Sequence, residues 1–199
     1  MGDDSGNDQE LWASSLAGDE TAFAALFDCH GNRVFAHACR FVGDRHTAED
    51  VTAATFLELW RCRDRVRLVN ASVVPWLLVT ATNVARNQTR ALRRHHRLLE
   101  RLPRLGDVPD AAEAVLSQSI LGVDDRLTAA LRTLKSADLH LFCLVVLEGY
   151  SLAEAGQVLH LSPSSAKSRL HRARIRMRDI IDTADRPPTS AAAVHGGTR

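Results

Sequence analysis

Apolar and polar residues alternate with the period of an α-helix along most of this chain. The sequence Gly43-Asp44 separates the first two apolar faces, and Pro103, Gly106 and Pro109 interrupt the pattern after the third. The pattern therefore predicts an all-α protein. Its main apolar faces fall within residues 23–42, 51–60, 76–92 and 139–147.

Capping signals place the starts of the first helices. Thr47 with Asp50 three residues later predicts a capping box at the start of the second apolar face. Pro75 is expected in the first turn of the third helix, since a proline fits there without breaking a hydrogen bond. That helix is expected to carry Leu77 and Leu92 inward.

The segment from residue 136 to residue 150 predicts one further helix. Ser136 is expected to cap its start, and Gly149 stands where a residue in the left-handed conformation ends a helix.

The next thirty residues carry the sharpest local signals. Ser151 and Glu154 form a capping-box pattern, and Ser162 followed by Pro163 marks a second helix start after a turn at residues 160–162. Two short helices joined by a three-residue turn, the second of them basic, predict a helix-turn-helix. The residues that the last helix is expected to bury are Ala166, Leu170, Ala173, Met177 and Ile181.

Charge is arranged in blocks, although the net charge is only +1. Residues 1–20 and 107–125 carry acids and no Lys or Arg, whereas residues 61–104 carry eleven Arg and residues 163–178 carry six bases. Two separate basic blocks indicate two contacts with a polyanion, and the acidic block between them indicates a solvated linker. Arg accounts for 23 of the 25 bases, which suits forked contacts to phosphates and base edges, although coding bias explains the choice of Arg over Lys equally well.

These patterns divide the chain into two small helical domains joined by a flexible acidic linker. We expect a disordered segment at 1–9, a helical domain at 10–97, the linker at 98–122, a helix-turn-helix domain at 123–182 and a disordered tail at 183–199. The 199 residues are long enough for two such domains.

Several classes of protein are not expected. The sequence has no Gly-rich phosphate loop, no common hydrolase motif, no apolar run long enough for a membrane span and no secretory signal. Four dispersed cysteines favour a reducing, cytoplasmic location and no cofactor. The cluster Cys29, His30, His37 and Cys39 lacks the second ligand pair of a zinc site, so no metal is expected.

The motifs together resemble the extracytoplasmic-function (ECF) group of the sigma-70 family of RNA polymerase sigma factors. The most specific piece is the string KSRLHRAR at residues 167–174, within a helix-turn-helix at 151–174. Residues 48–60 resemble the helix that grips the polymerase clamp, and residues 75–85 resemble the helix that melts and reads the −10 element. The chain departs from the family at Ala53-Ala54, where a Gln-Glu pair is common, at Asn87, where Asp is frequent, and at His160, where Gly is frequent.

The resemblance implies a non-catalytic protein that binds core RNA polymerase and promoter DNA, and that an anti-sigma factor masks. Specific reading of the −35 element would use bidentate side-chain contacts in the major groove. The implied −35 residues are Ser164, Ser165, Lys167, Ser168, Arg169, His171, Arg172 and Arg174. The implied −10 residues are Asn83, Arg86, Asn87 and Arg90, and the implied polymerase-binding residues are Glu49, Asp50, Phe56 and Trp60.

Two alternatives remain open at this point. A free-standing helix-turn-helix regulator would explain residues 136–178 but not the motifs at 48–60 and 75–83. An enzyme using Cys29 or a His/Asp pair would need a nucleophile–base spacing that the chain does not show.

Two further features have open interpretations. Trp76 is either a core residue or a platform on which a base stacks. The loop at residues 66–74 resembles the place where the family holds a flipped base.

Overall fold

The structure is a computed structural model, and it describes residues 5–99 and 125–184. The described residues form eight α-helices and no strand, which confirms the predicted all-α class. The helices are α1 (Ser5–Leu16), α2 (Glu20–Cys39), α3 (Arg45–Arg61), α4 (Val74–Leu99), α5 (Asp125–Thr133), α6 (Ser136–Phe142), α7 (Leu152–Val158) and α8 (Pro163–Ala184).

Aspartates cap two helices, α2 and α3, of the N-terminal unit, which comprises α1 to α4. Asp19 accepts hydrogen bonds from the first turn of α2, and Asp44 accepts one of 2.8 Å from the Thr47 backbone N–H at the start of α3. The predicted Thr47–Asp50 capping box is therefore wrong. Asp44 takes the cap position, and the Thr47 hydroxyl donates to the same carboxylate.

Helix α4 buries two faces rather than one. Leu77 and Ala81 pack with α2 and α3, as predicted, while Leu78 enters a second cluster with residues of α6 and α7. The prediction that Leu92 points inward is wrong, because its side chain is 52% exposed. The helix extends beyond the core, so the apolar face at its C-terminal end is exposed to solvent.

Three of the four predicted capping and turn signals are confirmed in the C-terminal unit, which comprises α5 to α8. Gly149 has φ +78°, Ser151 and Glu154 form a complete capping box, and Ser162 Oγ accepts from the Ser165 N–H at 3.3 Å. The prediction for Ser136 is wrong: Lys135 takes the cap position of α6 without a side-chain bond. A π-helical turn, Cys143–Leu147, continues α6 and was not predicted.

Helical structure begins closer to the N-terminus than the sequence pattern indicates. Helix α1 starts at Ser5, inside the segment expected to be disordered, and the Asp8 side chain in it is buried at 2% exposure. Helix α4 reaches Leu99 and α8 reaches Ala184, each slightly beyond its predicted boundary. The rest of the predicted linker, 100–122, and of the predicted tail, 185–199, lies outside the described residues.

The two units pack against each other through apolar side chains. One core cluster joins Leu26 and Leu77 of the N-terminal unit to Leu131, Leu139 and Met177 of the C-terminal unit. Burial of this kind is the main favourable contribution to packing of helices, at about 25 cal/mol per Å². The candidate DNA-reading helices α4 and α8 are thereby held in one body.

Candidate nucleic-acid interface

Helices α7 and α8 form the predicted helix-turn-helix. Gly156 of α7 packs against both the turn and α8: an added Cβ would lie 3.4 Å from the Leu161 carbonyl oxygen in the turn and 3.9 Å from Ala166 Cβ in α8. His160 in the turn has φ +52°, a left-handed conformation that glycine adopts without strain. The position where this sequence departs from the family's frequent glycine is thus one where the backbone favours glycine.

Helix α8 presents a polar, basic surface. Its inward face is Ala166, Leu170, Ala173 and Met177, all buried as predicted, with Ile181 partly exposed. The opposite face carries no acid before Asp179. Of the predicted −35 residues, the exposed ones are Ser164, Lys167, Ser168, His171, Arg172 and Arg174.

Arg169 differs from the other predicted −35 residues. Its guanidinium donates to the Asp138 carboxylate of α6 at 3.0 Å, and its Nε lies 3.4 Å from Ser165 Oγ. Asp138 is buried, so this ion pair connects α6 to α8 beneath the exposed face. Arg169 and half-buried Ser165 therefore support the helix position, while the neighbouring cations face solvent.

Two of the four predicted −10 residues contact the C-terminal unit, although one of these two, Asn83, is also exposed to solvent. Asn87 and Arg90 are exposed on α4. Asn83 Oδ1 lies 3.0 Å from His140 Nε2, and Arg86 donates to Ser136 Oγ at 3.4 Å. Burial lowers the pKa of Arg86, and the neighbouring charge of Arg90 lowers it further.

The loop between α3 and α4 ends in a tight turn. Asn70 and Ala71 have φ of +52° and +59°, and Val69 and Ser72 exchange two backbone hydrogen bonds across them. Ser72 Oγ donates to Asp8 at 2.7 Å. The sequence analysis missed both features, and Asn70 was the available signal, because Asn tolerates the left-handed region.

Asp8 fixes this turn to the N-terminal helices. Its second oxygen lies 2.6 Å from His30 Nε2, and both side chains are buried. Burial alone would raise the pKa of Asp8, but the hydrogen bonds from His30 and Ser72 outweigh that effect and lower it. The carboxylate therefore stays ionised and connects α1, α2 and the turn.

The predicted polymerase-binding residues of α3 do not all reach the surface. Glu49 and Asp50 are exposed, with Glu49 paired to Arg45 at 2.8 Å. Phe56 is only 3% exposed and stacks edge-on against Phe27 with ring centroids 4.7 Å apart. It thus supports the surface from below.

Trp60 and Leu57 complete this side of the molecule. Trp60 is half-buried between the Phe23 ring at 5.2 Å and the Arg63 guanidinium at 4.4 Å. Leu57, which the sequence analysis did not select, is 60% exposed seven residues after Asp50, so the two lie on one face of α3.

The side chains considered as metal ligands have other surroundings. His30 contacts Asp8, buried His37 contacts Thr82 and Glu148, Cys39 is buried and Cys29 is exposed. No group of three or more potential ligands suited to a metal occurs within residues 5–99 and 125–184.

Two further features of the described segments bear on function. Half-buried Trp76 packs against the main core cluster, which agrees with its reading as a core residue. Among the helices that the structure describes, none has the length and apolar character to cross a membrane.

Comparison with known proteins identifies the family of both units. The Sigma-70 region 2 family model matches residues 26–112, and the Sigma-70, region 4 model matches residues 124–177. The chain is 31% identical over 164 residues to the RNA polymerase sigma factor CarQ of Myxococcus xanthus, a match covering 82% of this chain and 91% of CarQ.

A second relative and a solved structure are similar to this chain over most of its length. The chain is 32% identical over 171 residues to the ECF RNA polymerase sigma factor SigE of Mycolicibacterium smegmatis, covering 82% of this chain and 64% of SigE. The structure of CnrH in complex with the cytosolic domain of CnrY aligns with a TM-score of 0.59 and 26% identity, over 90% of this chain and 99% of that one. The chain belongs to the sigma-70 family of RNA polymerase sigma factors, in its ECF group.

Proposed function

We propose that this chain binds core RNA polymerase and directs promoter-specific transcription initiation. The observation that carries the proposal is the pairing of two separate helices with exposed basic or amide faces, α4 and α8, in one chain of this family. One helix would read the opened −10 element and the other the −35 element. The polymerase would carry out the chemistry in the cytoplasm, so the chain itself needs no catalytic group or cofactor.

The −35 contact is assigned to the solvent-facing cations of α8. Lys167, Arg172 and Arg174 would bind phosphates or guanine edges, and Ser164 lies in the first turn, where backbone N–H groups favour an anion. The −10 contact is assigned to Asn87 and Arg90 together with Asn83 and Arg86. Amide and guanidinium groups suit the edges of unstacked bases.

The polymerase contact is assigned to α3. Glu49, Asp50, Leu57 and Trp60 form its accessible part, with Phe56 packed beneath. An exposed leucine beside two carboxylates suits a protein surface better than DNA, because the acids repel phosphates.

An anti-sigma factor is proposed as a further partner. CnrH is solved with the cytosolic domain of CnrY bound to it, and a sigma factor called RpoE with the anti-sigma factor NepR. For this chain such a partner would cover the surfaces that meet polymerase or DNA.

Neither alternative function gains support from a specific observation. The free-standing regulator leaves the match of residues 26–112 to region 2 unexplained. A thiol enzyme would need a thiolate, and three of the four cysteines are poor sources of one: burial raises the pKa of Cys39 and takes that of Cys143 to about 12, while the hydrogen bond to Glu58 raises that of Cys62. For Cys29, the cysteine of that hypothesis, the structure adds only that it is exposed.

The test compares promoter binding with and without polymerase. Purified chain should co-elute with core polymerase, and the two together should protect −10 and −35 sequences that the chain alone protects weakly. Asp50→Lys should abolish co-elution, whereas Asp28→Lys, an exposed charge reversal on α2, should not. Tight, specific protection by the chain without polymerase would favour the free-standing regulator instead.

A further inference from the structure

The buried carboxylate of Asp8 in α1 is directed at the loop before α4. Its side chain is only 2% exposed, and Ser72 Oγ donates to one of its oxygens at 2.7 Å. The Val73 backbone N–H donates to the same carboxylate, and His30 Nε2 of α2 lies 2.6 Å from its other oxygen. The hydrogen bonds that keep this acid charged inside the protein therefore come mainly from the two residues in front of α4.

The Ser72 hydroxyl connects Asp8 to the start of α4. While it donates to Asp8, it accepts a hydrogen bond of 3.2 Å from the Val74 backbone N–H in the first turn of the helix. A side-chain oxygen that accepts from the first N–H groups of a helix fixes where that helix begins. Asp8 thus holds the first turn of the helix that carries the proposed −10 residues.

The same loop contains two residues in a costly backbone conformation. Asn70 and Ala71 have φ of +52° and +59°, in the left-handed region that residues with a Cβ other than Asn and Asp rarely adopt. Val69 and Ser72 close the turn across them with two backbone hydrogen bonds. Backbone strain persists where the surrounding structure holds it in place, and it is concentrated at functional sites. Asp8 supplies such support, because it ties Ser72, one end of this turn, to the buried interior.

The tip of the turn carries groups that suit a nucleotide. Asn70 is exposed, and its amide donates to the Glu154 carboxylate of α7, so the amide is directed away from the core of the N-terminal unit. Base edges offer acceptors of the same kind, and amides are among the groups that read them. Arg67, in the same loop, is an exposed cation that attracts phosphates.

We propose that Asp8 is a positioning residue for recognition of the −10 element: together with His30 it holds the turn at Asn70 and the start of α4 in the geometry that receives the opened strand. The inference rests on the proposed function and adds to it a role for α1 and a strand contact for Asn70. Because the turn is set before DNA arrives, ordering of the loop does not oppose binding. A variant without the Asp8 carboxylate loses this advantage, although the exposed −10 side chains of α4 remain.

The experiment uses the full chain with three variants and one control. Asp8→Asn keeps the shape of the side chain but removes its charge, and Ser72→Ala removes a donor at a partly exposed position, which decides the test if Asp8→Asn does not fold. Asn70→Gly removes the amide and relieves the backbone, since glycine adopts positive φ freely. Asp28→Asn makes the same chemical change as Asp8→Asn at an exposed position of α2.

Two affinities are measured for each protein. The first is the affinity for purified core polymerase. The second, measured with polymerase bound, is the affinity for a labelled single DNA strand that carries the −10 sequence protected in the footprint. A variant that merely damages the fold lowers both affinities, whereas loss of positioning lowers only the second.

We expect Asp8→Asn and Ser72→Ala to weaken strand binding about tenfold with unchanged affinity for core polymerase. Asn70→Gly should weaken strand binding to a similar extent, although it relieves strain in the turn. Asp8→Asn combined with Asn70→Gly should bind the strand no more weakly than either variant alone, because both lose the same contact. Asp28→Asn should match the unmodified chain in both measurements.

Four results would overturn the inference. Strand binding by the Asp8 and Ser72 variants equal to that of Asp28→Asn would exclude positioning. Equal losses of strand and core binding would leave Asp8 with a structural role alone. Losses that add in the double variant would show that Asp8 does not act through Asn70. If the unmodified chain bound no core polymerase or protected no promoter with it, the proposed function would fail, and the inference with it.

Discussion

His160 stands where the family frequently has glycine, and its backbone angle is one that favours glycine. Its φ of +52° places a side chain where the left-handed conformation costs an L-residue about 1–2 kcal/mol. The residue is exposed, so its side chain contributes little packing in return. Despite this strain, two hydrogen bonds hold the turn between α7 and α8: the Leu161 N–H donates to the Gly156 carbonyl oxygen at 2.9 Å, and the Ser165 N–H donates to Ser162 Oγ at 3.3 Å.

Replacing His160 by glycine should stabilise the protein. We expect His160→Gly to raise the free energy of unfolding by about 1 kcal/mol, measured by urea denaturation. Arg176→Gly, an exposed change within α8, is the matched control and should lower it by a similar amount. Destabilisation by both variants would show that the turn is not strained at residue 160.

Arg169 and Arg172 should separate structural from DNA-binding roles on one helix. Arg172→Ala removes an exposed cation, so we expect weaker transcription from promoters with a −35 element and unchanged thermal stability. Arg169→Ala breaks the pair with buried Asp138, so we expect it also to lower the unfolding free energy by about 1–2 kcal/mol.

Lys135→Ala, which removes a cation outside α8, serves as the control for both variants and should leave transcription and stability unchanged. The assignment of Arg172 would be wrong if its variant transcribed as well as the Lys135 variant. The structural role of Arg169 would be wrong if its variant unfolded at the same urea concentration as the unmodified chain.

At the scale of elements, local signals predicted most helices and the helix-turn-helix. The Ser151–Glu154 capping box, the Gly149 end and the Ser162–Pro163 start depend on residues within four positions of each other, so a sequence displays them directly. The predicted start of α3 was wrong because Asp44 and Thr47 are both good N-cap residues. The sequence alone does not decide between competing caps.

Features set by distant residues were not predictable. Leu78 is buried only because α6 and α7 cover a second face of α4, and Glu148 meets partners more than a hundred residues earlier in the chain. The same holds for buried Asp8, which looks like part of an acidic tail until His30 and Ser72 surround it. In the candidate site, the helices and their polar faces could therefore be predicted from the sequence, but the contacts of Asn83 and Arg86 with the other unit could not.

The contact between α4 and α6 should make the protein sensitive to acid. Burial, with the nearby charges of Arg86 and His37, lowers the pKa of His140 to about 4. Between pH 6.5 and 4 the unfolded chain therefore takes up a proton at this residue that the folded chain does not. Stability falls as the pH drops through that window, by up to about 3 kcal/mol for this group.

The pH effect can be assigned by substitution. In His140→Gln the loss of stability between pH 7 and pH 4 should be smaller than in the unmodified chain, as measured by urea denaturation across that range. His171→Gln, at an exposed position of α8, should leave the profile unchanged. Identical profiles for the unmodified chain and His140→Gln would contradict the role of His140.

At the scale of the whole molecule, two helical units pack into one body. One core cluster joins them, and Glu148 of the C-terminal unit lies 3.2 Å from His37 of α2. The candidate DNA-reading helices α4 and α8 belong to different units of this body.

Run-off transcription tests the central claim most directly. Purified core polymerase would transcribe sheared genomic DNA of the host with the unmodified chain, with Asp50→Lys or with no addition. Our account predicts discrete transcripts that require the unmodified chain and whose start sites share −10 and −35 sequences. If the chain co-eluted with core polymerase and still produced no transcript beyond those of core alone, its assignment as a self-sufficient sigma factor would be contradicted.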